Sequence, residues 1–73
     1  MIETNKLIEK SQKEIEPDLS VLGYRFIREV HLSGDTFICE YVNTKEKNKL
    51  QLVFRLYSHN AFCKEVYEEE YEE

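Results

Sequence analysis

The sequence lacks any apolar run near the roughly 20 residues that a membrane-spanning helix needs, which excludes a helical integral membrane protein. It has only two glycines, Gly23 and Gly34, too few for a phosphate-cradling loop of known type. Its two cysteines, Cys39 and Cys63, form no CxxC pair, and a secreted scaffold this short usually carries four or more. They read as reduced, mostly buried thiols of a cytoplasmic protein; a Cys39–Cys63 bridge is the alternative. A secretory leader is not expected either, because Lys6, Lys10 and Lys13 interleave with glutamates instead of preceding an apolar stretch. Neither a repeat nor a linker divides the 73 residues, so residues 1–73 make a single domain. With 41% hydrophobic residues there is material for one small core.

Basic residues are missing from one place above all. Residues 65–73 hold six glutamates and no lysine or arginine, whereas the rest of the chain carries ten basic and nine acidic residues, or +1. The net charge of −5 therefore belongs to an acidic C-terminal segment. Direct binding to DNA or RNA is not expected, since the phosphate term that dominates such affinity would be repulsive there. A basic partner protein is the natural complement.

The first 22 residues read as helix. At about 100° per residue, Met1, Ile8, Ile15, Leu19 and Leu22 share a narrow sector opposite Glu3, Lys6, Lys10, Lys13 and Asp18. Pro17 either kinks this helix or opens a short second one, and Gly23 closes it. From Tyr24 the period becomes two. Tyr24, Phe26, Val30 and Leu32, then Phe37, Cys39 and Tyr41, then Leu50, Leu52, Phe54 and Leu56 alternate with more polar positions. A two-residue turn at Ser33-Gly34 pairs Val30 with Phe37 and Phe26 with Tyr41. A four-residue loop, Thr44 to Lys47, pairs Tyr41 with Leu50, Cys39 with Leu52 and Phe37 with Phe54. Both registers gather the strong apolar residues on one face. The fold class is α+β: an N-terminal helix on a three- to four-stranded antiparallel meander. After Tyr57 the pattern fits a fourth strand, ahead of a helix or a frayed tail, because Phe62, Cys63, Val66 and Tyr67 favour strand.

The other sheet face is more apolar than solvent requires. Ile27, Ile38, Val53 and Tyr57 lie on it, and one helix cannot cover both sides of a sheet. Either the C-terminal segment folds over them or they meet a partner, including a second copy of the chain.

Chemistry-bearing residues are sparse. His31, Cys39, His59 and Cys63 suggest a zinc site, but His31 and Cys39 fall on opposite faces, and His59-x3-Cys63 supplies only two ligands. His31 with Ser33 and Asp35, or Ser58 with His59, would sit at turns where nothing excludes water. Glu29, Glu40, Arg25 and Arg55 read as cross-strand salt pairs, and Lys45, Lys47 and Lys49 as a solvated hairpin tip. No catalytic residue, metal or cofactor is expected. The candidate partner-binding residues are Glu65, Tyr67, Glu68, Glu69, Glu70, Tyr71, Glu72 and Glu73, whose carboxylates meet lysines or arginines while the tyrosines add cation–π contact. In size and charge, though in no motif, the chain resembles the small acidic inhibitors among anti-defence and toxin-immunity proteins. That likeness implies a protein that occupies a basic, even nucleic-acid-binding, surface. The other expectation is a homodimer or small structural subunit joined through the second sheet face.

Overall fold

The computed structural model describes residues 4–71. A 3₁₀ turn, Thr4–Lys6, precedes one helix, α1 (Gln12–Val21), and four strands: β1 (Arg25–His31), β2 (Thr36–Asn43), β3 (Asn48–Tyr57) and β4 (Asn60–Glu70). The strands form one antiparallel sheet in the order β1-β2-β3-β4. The α+β meander and its fourth strand are as the sequence predicts. None of the described helices is long and apolar enough to cross a membrane.

The helix is shorter than its apolar stripe suggests, and it breaks before Pro17 instead of at it. Glu9 takes a left-handed backbone (φ 71°). Its N–H donates to the Cys63 carbonyl at 2.7 Å, and Cys63 N–H donates to Lys10 at 2.9 Å. Residues 9–10 are thus held as a strand-like strap on β4, where no helix can continue. Ser11 starts α1 with a capping box: its side chain accepts from Glu14 N–H and the Glu14 carboxylate accepts from Ser11 N–H. Pro17 sits inside α1. Its missing hydrogen bond is tolerated because Ile15 and Leu19, on either side of it, are fully buried against the sheet. Met1 lies outside the described residues.

The helix ends in a Schellman arrangement, with Tyr24 N–H on Leu19 O (2.9 Å) and Gly23 N–H on Ser20 O (3.1 Å). Gly23 supplies the required positive φ, 97°. Asn43, almost fully buried, then fastens this corner. Its amide nitrogen donates to Leu22 O at 3.1 Å, and its amide oxygen accepts from the N–H groups of Lys45 and Glu46 at 3.1 and 3.0 Å.

The β2–β3 register is the predicted one in full, from Asn43 opposite Asn48 to Phe37 opposite Phe54. The β1–β2 register is correct only at Phe26 opposite Tyr41; beyond a bulge at Ile27 it slips by one, so that Val30 faces Ile38 and His31 faces Phe37. Asp35 explains the slip. Its carboxylate binds Arg55 at 3.2 Å and its carbonyl accepts from Leu56 N–H at 2.7 Å, so it is drawn to β3 and cannot pair with Leu32. Leu32 and Ser33 both donate to Thr36 O instead. Val30 and Leu32 therefore join the second face, and Glu29 and His31 the helix face.

Leu7, Ile15, Leu19 and Tyr24 pack on Phe37, Cys39, Tyr41, Leu50, Leu52, Phe54 and Cys63, which make the core. This cover stops short of β1, all seven of whose residues are exposed. The C-terminal segment does not fold over the second face; it extends the sheet edgewise beside β3. Cys39 and Cys63 are free and buried. They stand on strands separated by β3, roughly 9–10 Å apart at about 4.8 Å per strand, beyond disulfide reach.

Candidate docking site at the acidic end

Forming a strand divides the acidic segment. Opposite Val53, Gln51 and Lys49, the residues Glu65, Tyr67 and Glu69 take the second face; opposite Leu50 and Asn48, Glu68 and Glu70 take the helix face. Tyr67 Oη donates to Glu65 at 2.9 Å, closing that pair on itself. Glu69 lies 3.5 Å from Lys49 Nζ, which also lies 3.5 Å from Glu40. The predicted continuous strip is therefore two groups, one of them internally compensated. Glu72 and Glu73 lie outside the described residues.

The uncompensated group surrounds a concavity of about 470 Å³. The end of β4 contributes Glu68, Glu69, Glu70 and Tyr71; the β2–β3 turn contributes Glu46, Lys47 and Asn48; the helix exit contributes Tyr24. Tyr71 N–H donates to Lys47 O at 3.0 Å and ties the two rims together. Asn48 Nδ2 donates to Tyr24 Oη at 2.6 Å and to Glu68 at 2.5 Å, while Asn48 Oδ1 is buried with no partner. Burial pushes the Tyr24 phenol up; the Asn48 hydrogen bond opposes this, and the fields of Glu68 and Glu46 add to it. The wall thus presents four carboxylates against one ammonium, Lys47, together with two tyrosine rings, a set that receives a guanidinium or ammonium group. Tyr24, Glu46 and Asn48 were missed in the sequence, where nothing ties them to residues twenty or more positions further on.

The second-face candidates are brought together only in part. Ile38 lies directly opposite Val53, both half-buried; Ile27 occupies the bulge, and Tyr57 lies four residues along β3 between Arg55 and Lys64, whose cations stand 5.4 and 5.1 Å from its ring centre. Beside them runs a polar row centred on the buried Glu40. Glu40 accepts from Arg28 Nε at 2.5 Å and from Gln51 Nε2 at 2.6 Å, and Arg28 with Gln51 holds its carboxyl down to about 2 against the cost of burial. This is the salt pairing expected of Glu40, with Arg28 in place of Arg25 or Arg55.

A more open hollow of about 900 Å³ separates α1 from β1, over Phe26, Glu29 and Tyr41. Lys13 and Arg25 line it with Glu16 and Glu29, so its charges balance and no ligand class is favoured. His31 and Cys39 share the helix face, contrary to the predicted opposition, yet among the described residues no three of His, Cys, Asp and Glu converge as metal ligands would. Burial pushes the Cys39 and Cys63 thiols up to about 12 and 11. Comparison with family models, with curated proteins and with solved structures finds no match.

Proposed function

We propose that the protein is a small acidic interaction module, not an enzyme, which docks on or inhibits a basic partner protein. The carrying observation is the concavity between Tyr24 and Tyr71, where Glu46, Glu68 and Glu70 are free of ion pairs among the described residues and outnumber the one ammonium, Lys47. An arginine or lysine entering it would exchange water for charge-assisted hydrogen bonds, each worth about 1.5–3 kcal/mol. A partner that otherwise grips nucleic acid fits the same chemistry. Free buried thiols suit a cytoplasmic setting.

The test is affinity capture from the source cells with mass spectrometry, at low and high salt, followed by titration of the captured partner. Affinity should fall steeply with salt and fall at least about tenfold in the triple variant Glu46→Gln/Glu68→Gln/Glu70→Gln. Glu65→Gln, on the opposite face, should bind as wild type. Equal binding by the triple variant would remove the concavity from the reading. The second reading, association of copies through the second sheet face, has one observation in its favour: the one described helix packs on the opposite face, and Ile38 and Val53 stay partly exposed.

A further inference from the structure

We infer that two copies of the chain pair edge to edge through β1, antiparallel about a two-fold axis at Val30. The inference uses none of the residues of the acidic concavity.

The two edges of the sheet differ. On β4, the strap at Glu9 and Lys10 occupies the backbone of Cys63, and the carboxylates of Glu65, Glu68, Glu69 and Glu70 repel another strand. Along β1 nothing among the described residues pairs with the outer backbone, and Phe26, Ile27 and Val30, with Leu32 just beyond, are exposed apolar side chains. An exposed apolar edge of this kind is a template for another strand.

The backbone directions restrict the register. Leu32 N–H donates inward to Thr36 O at 3.0 Å. By antiparallel alternation Val30 and Arg28 also bond inward to β2, which leaves the N–H and C=O groups of Glu29 and His31 directed outward. A two-fold axis normal to the sheet keeps each face with itself, so only residues in phase can be opposed. Centring on Glu29 sets two carboxylates together and opposes His31 with the bulge at Ile27. Centring on His31 sets two imidazoles together and opposes Glu29 with Ser33, in the turn. Centring on Val30 opposes Glu29 with His31 twice, a carboxylate acceptor facing an imidazole donor, and allows four N–H···O=C bonds. It also sets Val30 against its copy in the close, non-hydrogen-bonded position.

This pairing covers the middle of the exposed edge. Val30 (37% exposed) meets its copy on the second face, each beside its own Ile38, while Leu32 (57%) falls opposite Arg28 of the copy. A second copy is the fitting occupant because centring on Val30 opposes unlike groups, Glu29 and His31, on both sides of the axis.

Cysteine cross-linking reads this register, since Cys39 and Cys63 are buried and only the new thiol is accessible. Val30→Cys should form a disulfide-linked dimer under mild oxidation. Glu29→Cys and His31→Cys should each stay largely uncrosslinked alone but cross-link when mixed. Sedimentation equilibrium should find wild type as a dimer, Glu29→Lys with at least about a tenfold weaker dimer, and Glu29→Lys/His31→Glu restored. A wild type that sediments as a monomer overturns the inference, whether or not the variants fold. So does cross-linking of Glu29→Cys alone as fast as of Val30→Cys, or a double variant no tighter than Glu29→Lys.

Discussion

Glu40 offers the sharpest check on the physical reasoning, because a carboxylate only 4% exposed is kept ionised by named partners. Its pKa falls from an ordinary 4.5 to about 2, chiefly through the Arg28 hydrogen bond, then Gln51, with burial opposing and Lys49 helping. At about 1.4 kcal/mol per pH unit, this lowering caps the contribution at about 3–4 kcal/mol. The Arg28 side chain is 64% exposed, so solvent screens the pair and we expect about 1–2 kcal/mol. The sign follows from the direction. The unfolded chain takes up this proton first as acid is added, so the stabilisation is complete above pH 4.5 and is lost as the pH falls toward 2. Urea denaturation of wild type and Glu40→Gln across this range isolates the residue, because the other carboxylates, the lowered Asp35 included, are common to both. The stability difference should be greatest near neutrality and shrink steadily below pH 4.5. A difference independent of pH would refute the assignment of Glu40 as an ionised, paired group.

Two further outcomes are expected. Gly23→Ala should lower stability by about 1–2 kcal/mol in thermal or urea melts, since φ 97° is strained for alanine and its Cβ would meet Asn43 Nδ2 at 3.4 Å. Cys39 and Cys63 should resist a thiol reagent in native buffer and react, two per chain, once unfolded; prompt labelling of the native protein would contradict their burial and raised pKa values.

The alternation of Phe37, Cys39, Tyr41 with Leu50, Leu52, Phe54 made the middle hairpin legible, because a slip of one residue there would expose the whole core. The first hairpin was legible only at one end. Its slip depends on Asp35 reaching Arg55 and Leu56, twenty or more positions away, and no local pattern encodes such a contact. The helix start was misplaced for a similar reason: the stripe from Ile8 to Leu22 is continuous in phase, but pairing of Glu9 and Lys10 with Cys63 outcompetes helix there. The acidic segment was visible as charge. Its division between two faces needed the strand register, and the concavity needed Tyr24 and Glu46, which Asn43 and the β2–β3 turn bring to it.

Asn43 gives that corner a further property. One amide joins the carbonyl of Leu22, the residue that caps α1, to the turn that carries Glu46, and Tyr24 stands two residues further on at the same corner. Unravelling the helix terminus would therefore loosen the turn that carries Glu46 as well, which couples the folding of this corner to the shape of the concavity. Hydrogen exchange at the amides of Lys45, Glu46 and Tyr24 would rise and fall together.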